Sequence, residues 1–125
     1  MHPVAHIACA SLSHSLRDVL IRMTEHPLGA ACIVDKEEQL LGIITDGDVR
    51  RLLAKKGDIL DLPIGDCMTL DPLTVNKEQL LGEAIRLMED RESQISVLPV
   101  VIADERKLVG LVRLHDAYQP SSHQA

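Results

Sequence analysis

The sequence predicts an α+β fold built from two copies of one unit, and three observations carry that prediction. Gly42 to Arg51 reads G-I-I-T-D-G-D-V-R-R and Gly110 to Ala117 reads G-L-V-R-L-H-D-A, so one strand-into-helix junction is written twice. The offset is constant: Gly110 follows Gly42 by 68 positions, Asp116 follows Asp48 by the same interval, and Ile33-Val34 align with Val101-Ile102 without a gap. Apolar residues also switch between helical and strand spacing in the same order in each half. A repeat of fixed period outranks any single motif. In a chain of 125 residues, each unit is near the size at which a domain is marginal alone. The two units are therefore expected to share one core about a pseudo-twofold axis.

The elements follow in order. Leu16, Val19, Leu20 and Met23 fall on one helical face, and Ser13 or Ser15 can cap it, which predicts an amphipathic helix over residues 14–25. Pro27 and Gly29 stop that helix. Ala30 to Val34 and Leu40 to Thr45 are short apolar runs separated by the polar turn Asp35-Lys36-Glu37-Glu38, the pattern of paired buried strands. Asp46 or Thr45 can cap a second helix that turns Val49, Leu52 and Leu53 inward and ends near Lys55-Lys56-Gly57.

The second unit opens on Leu70 to Val75, extended because Pro72 biases the residue before it away from helix. Asn76 can cap a helix with Leu80, Leu81, Ala84, Ile85 and Met88 on its inner face. Val97 to Ile102 and Lys107 to Arg113 read as strands, and a short helix from Leu114 to Tyr118 closes the unit. The expected organisation is a first repeat at 1–57 with a short N-terminal segment, a linker at 58–66 containing Pro63 and Gly65, a second repeat at 67–119 and a tail at 120–125.

Composition narrows function. The net charge is −6, with 7 basic and 9 acidic residues up to Gly65 and 6 and 10 after it, so neither half offers a basic face to nucleic acid. Tyr118 is the only aromatic residue, which removes the stacking platforms used by single-strand binders. No apolar run approaches the roughly 18 to 20 residues of a membrane span, and the N-terminus carries no signal pattern; a cytoplasmic protein is expected. Cys9, Cys32 and Cys67 have no metal spacing and read as reduced, inert thiols. The six histidines also show no ligand spacing, so no metal site is expected.

The chemistry concentrates at Gly42 to Arg51. A helix starting at Asp46 presents unpaired N–H groups and the positive end of its dipole, which favour an anion. Thr45 adds a hydroxyl and Arg50 or Arg51 adds countercharge, while Asp48 suits a sugar diol better than a phosphate. The competing reading is that Thr45, Asp46 and Asp48 only cap the helix and that Arg50 and Arg51 are a solvated face. In the second unit Arg113 stands where Thr45 stands in the first, and His115 precedes Asp116. Arg113 can hold a phosphate in a bidentate manner, fill the site instead, or pair with a neighbouring acid.

The glycine-ended strand running into T-x-x-D, with M-T-x-x-P-x-T-V at Met68 to Val75, resembles the cystathionine β-synthase (CBS) domain. Two in tandem over about residues 10 to 118 resemble a CBS pair, or Bateman module: two β-α-β-β-α repeats. A narrower resemblance rests on Ser15-Leu16-Arg17-Asp18-Val19-Leu20-Ile21-Arg22-Met23-Thr24, Leu28-Gly29 and the T-D-G-D-V-R-R run. It is to the C-terminal CBS pair of the sugar-phosphate isomerases that interconvert arabinose 5-phosphate and ribulose 5-phosphate.

That resemblance implies a regulatory module without a catalytic domain and without isomerase activity of its own. Its implied partners are an N-terminal sugar isomerase domain of the parent chain and a second copy of itself, as a homodimer through the CBS helices. It also implies phosphate on Thr45 and ribose on Asp48; apart from the resemblance, Thr74, Val75, Val100, Arg113 and Asp116 complete the candidate set. The ligand would be an adenine or cytidine nucleotide or a nucleotide-sugar, such as the cytidine-activated eight-carbon sugar acid of lipopolysaccharide synthesis; no cofactor is required. The alternatives are a dimerisation module with no ligand, or the CBS pair of another enzyme or transporter. Met23 and Met88 lie at matching places on the longer helices, available either to a partner or to the core.

Overall fold

The computed structural model describes residues 2–77, 97–102 and 106–113. Helix α1 spans Leu16–Glu25. Ser15 caps it in a reciprocal box: its Oγ accepts from the Asp18 N–H at 3.3 Å, and the Asp18 carboxylate accepts from the Ser15 N–H at 3.2 Å. Ser13 is not the cap; its hydroxyl pairs with Ser11. Leu16, Val19 and Met23 are buried, so Met23 fills the core and is not a partner contact. Gly29 then leaves the helix with φ +87°, a conformation that side chains resist.

Strands β3 (Ala30–Val34) and β4 (Leu40–Thr45) pair antiparallel across a turn in which the Asp35 carboxylate accepts from the Glu37 and Gln39 N–H groups. Helix α2 (Asp46–Lys56) follows directly, capped by Thr45 and ended at Gly57. Val49 is buried on its inner face. Leu53, expected to point inward, is 49 % exposed, because the short inner face of this helix is filled by Val49 and Leu52. In the second unit β7 (Val97–Ile102) and β8 (Lys107–Arg113) pair antiparallel. The helices expected after Asn76 and after Arg113, and the tail, lie outside the described residues.

Four two- or three-residue strands complete the sheets: β1 (His2–Pro3), β2 (Ala8–Ala10), β5 (Thr69–Leu70) and β6 (Val75–Asn76). One sheet has the order β2-β3-β4-β5 and the other β1-β8-β7-β6. Each unit thus lends a leading strand to the other. β1 runs antiparallel to β8, with His2 opposite Leu111, while β5 runs antiparallel to β4, with Leu70 opposite Gly42. Gly42 is needed for that approach, because a Cβ there would lie 2.7 Å from the Thr69 carbonyl oxygen and 2.8 Å from the Met68 sulfur.

The pseudo-twofold relation is visible at the opposite ends of the two hairpins. Glu38 and Arg106, 68 positions apart, both adopt left-handed backbone, at φ 66° and 51°. Leu108 N–H donates to the Glu38 carbonyl at 3.0 Å and Leu40 N–H donates to the Arg106 carbonyl at 2.9 Å, with Gln39 bridging Lys107 between them. A shared core lies behind this junction. Ile7, Cys32 and Leu40 pack with Val101, Leu108 and Leu111, drawing on both sheets. A second cluster joins α1 and the first sheet to Ile59, Ile64 and Cys67. Residues 58–66 are therefore built into the fold: Ile59 and Ile64 are buried, and Pro63 bridges Ser15.

Candidate functional site: a cleft between the repeats

A cleft of about 670 Å³ opens where the two units meet. Its walls include Gly29, Ile43, Thr45, Asp46, Gly47, Arg50 and Arg51 from the first unit and Thr69, Pro72, Leu73, Val97, Pro99 and Arg113 from the second. Two equivalent pairs face each other here. Gly29 corresponds to Val97 and Thr45 to Arg113, each by the 68-residue offset. The first half-site thus contributes space and a hydroxyl, and the second contributes bulk and a guanidinium.

Local structure sets the polar wall. The N–H groups at the start of a helix need partners from outside it. At α2 the Thr45 N–H goes to the Asp48 carboxylate at 2.9 Å, the Asp46 N–H to the Gly29 carbonyl at 2.9 Å, and the Asp48 N–H to the Thr45 hydroxyl at 3.2 Å. Among the described residues, none takes up the remaining group, the Gly47 N–H. Arg51 folds back over this turn and donates to the Asp48 carboxylate at 2.6 Å. A Cβ at Gly47 would lie 3.3 Å from its guanidinium, so glycine keeps the two close.

Helix α1 carries the same box at Ser15 and Asp18, yet its start is closed. The Arg17 N–H, which corresponds to the Gly47 N–H, donates to the Leu60 carbonyl at 3.2 Å. The chain after α2 thus seals one helix start and leaves the other facing the cleft.

The candidate residues sort accordingly. Thr45, Asp46, Arg50, Arg51 and Arg113 line the cleft. Asp48 does not, and both of its carboxylate oxygens are engaged, one by the Thr45 N–H and one by Arg51. Thr74 is not on the wall. Val75 and Val100 are register partners buried in the core, and Val97 and Pro99 take the place expected of Val100. Asp116 lies outside the described residues. Gly29 and Gly47 were not legible as wall residues because they carry no side chain to signal a site, and Thr69, Pro72 and Leu73 were not because they reach the wall through the exchanged strand β5.

Burial holds all three thiols in their protonated form. Burial pushes Cys32 well above the ordinary thiol range, with the neighbouring Cys9 adding to it. Burial also raises Cys9, partly offset by Arg22, and raises Cys67, where Asp66 adds to the effect. No group of three or more metal-ligating side chains occurs among the described residues, and none of their helices is long and apolar enough to cross a membrane.

The CBS domain matches this chain twice, over residues 2–55 and 64–119. The chain belongs to the CBS domain family. Its tandem CBS pair is 41 % identical over 105 residues to arabinose 5-phosphate isomerase KdsD of Pseudomonas aeruginosa, covering 84 % of this chain and 31 % of that protein. It is 35 % identical over 116 residues to KdsD of Escherichia coli K12, covering 93 % and 34 %. The pair therefore spans about a third of the length of these relatives.

Among solved structures, CBSX2 in complex with AMP superposes with TM-score 0.82 at 25 % identity, covering 99 % of this chain and 94 % of that one. The CBS domain pair of MJ0100, in complex with 5′-methylthioadenosine and S-adenosyl-L-methionine, gives 0.80 at 25 % identity, covering 95 % and 90 %.

Proposed function

We propose that this CBS pair is the regulatory module of an arabinose 5-phosphate isomerase-like enzyme and that its inter-repeat cleft takes one nucleotide or nucleotide-sugar. The observation that carries the reading is the contrast between two equivalent capping boxes, one sealed by Leu60 and the other open to a cleft at Gly47. A helix start with a spare N–H and two nearby guanidinium groups is suited to a phosphate. Arg50 and Arg51 supply the countercharge, and Asp48 positions Arg51. Asp46, exposed on the wall, accepts from a sugar hydroxyl. Among the described residues the wall carries no aromatic side chain, and the base lies against Ile43, Val97 and Pro99. The AMP and S-adenosyl-L-methionine complexes of the two structural neighbours support an adenine ligand, and likeness to KdsD supports a cytidine-activated sugar acid.

A thermal-shift titration against AMP, ATP, CMP, cytidine-activated sugar acids and sugar phosphates tests this. A ligand at about 100 times its Kd stabilises by about 2.7 kcal/mol, a shift of several degrees. Arg51→Ala and Arg50→Ala should each weaken binding about tenfold or more, as expected for hydrogen bonds to charge. A wild-type protein that is folded but shows no shift with any of these overturns the reading.

A second reading, assembly, is favoured by Ile21 and Leu53, which are 54 % and 49 % exposed on α1 and α2. It predicts a homodimer by sedimentation that Leu53→Lys weakens.

A further inference from the structure

The N-terminal segment is attached to both sheets within nine residues. At one end β1 pairs with β8, with Pro3 opposite Gly110 and His2 opposite Leu111. At the other end β2 runs parallel to β3, with Ala8 opposite Ala31 and Ala10 opposite Ile33. Between them Ile7 is 4 % exposed, packed in the cluster that draws Cys32 and Leu40 from one sheet and Val101, Leu108 and Leu111 from the other. A side-chain tie adds to this: Arg22 of α1 donates to the Cys9 carbonyl at 2.8 Å.

Both attachments lead into the cleft. β8 ends in Arg113, two residues beyond the Leu111 paired with His2, and β7 presents Val97 and Pro99 opposite Arg113 and Leu111. β3 begins at Ala30, next to Gly29 on the opposite wall. The cleft is formed by the two units together, so its width depends on how they sit, and residues 2–10 hold both. Any ligand that prefers one width must then bias the attachment of the segment, and the reverse holds by linkage.

We propose that residues 2–10 are a clasp energetically coupled to the cleft, through which occupancy of the cleft is passed to whatever the N-terminus adjoins; as a signal route this rests on the nucleotide reading above. The test is hydrogen exchange on the whole chain, wild type and two variants. Ile7→Ala loosens the clasp, and Ile64→Ala removes the same atoms from the other cluster, which Ile7 does not join and which the clasp enters only through the small side chains of Ala8 and Ala10. Without ligand, Ile7→Ala should speed exchange in residues 97–102 and 107–113 beyond the effect of Ile64→Ala. Equal effects of the two variants would overturn the coupling. If Ile7→Ala fails to fold, Ile7→Val against Ile64→Val makes the same comparison.

With AMP, ATP or CMP as saturating probe, wild-type residues 2–10 should exchange more slowly, and Ile7→Ala should change probe affinity at least about fivefold while Ile64→Ala does not. A probe that binds while leaving residues 2–10 and the affinity of Ile7→Ala unchanged overturns the clasp and spares the cleft. If no probe binds, the nucleotide reading falls, and the ligand-free comparison still decides the coupling.

Discussion

Ser15 and Thr45 perform the same local task, and replacing each with alanine separates structure from binding. Both substitutions remove an N-cap hydroxyl, so each should cost about 1 kcal/mol in denaturant unfolding. Only Thr45→Ala should also weaken nucleotide binding, because only that hydroxyl borders the cleft; equal affinity in both variants would make Thr45 a cap and nothing more. Cys32 gives a pH prediction. Its thiol is raised by burial, so the folded state keeps a proton that the unfolded chain loses above the ordinary value of 9.0. The stability this thiol contributes is level below that pH and falls as pH rises past it, by about 1.4 kcal/mol per unit. Cys32→Ala, though less stable at neutral pH, should show a shallower alkaline decline in chemical denaturation. At this scale the sequence disclosed the cap and the arginines but not which strand face meets the cleft. β7 reads Val-Leu-Pro-Val-Val-Ile, apolar on both faces, so alternation could not tell Val97 and Pro99 from Val100.

Among elements, the hairpins and helix α1 were legible because each has a strong local signature. β3, β4, β7 and β8 occupy the intervals their apolar runs mark, and α1 begins one residue after its serine cap. The exchanged strands were not legible. β1 and β5 are two residues long, too short to carry a period, and their partners lie in the other unit. The glycine-ended strand was the available trace of this, since Gly42 marks where another backbone comes close. Gly42→Ala would drive a Cβ into the Thr69 carbonyl and Met68, and should destabilise by about 1–3 kcal/mol. Loss of protection at residues 68–70 in hydrogen exchange should exceed that elsewhere, since the clash falls on β5.

For the molecule as a whole, reciprocal exchange means that neither unit is complete by itself. A chain stopped after Gly57 would lack β5 and the buried Ile59, Ile64 and Cys67, and its own β1 would have no β8 to join. It should show no cooperative thermal transition as a monomer, whereas the intact chain should unfold in one step. The sequence conveyed the shared core through its repeat, but treated residues 58–66 as a spacer; Pro63 and Gly65 gave the turn chemistry and obscured the burial of Ile59 and Ile64.

The junction of Glu38 and Arg106 is self-complementary: what one unit gives, the other returns. That is the grammar of a symmetric dimer, in which two identical chains meet across a twofold axis. A single-unit ancestor would have formed the same contacts between separate molecules, subject to dilution, and with identical residues on both sides of the axis. With both units on one chain the encounter is intramolecular, at an effective concentration not set by expression level. Two units on one chain also need not match each other. Threonine at position 45 and arginine at 113, glycine at 29 and valine at 97, are what that freedom allows: a lopsided recess that a homodimer of single units cannot make.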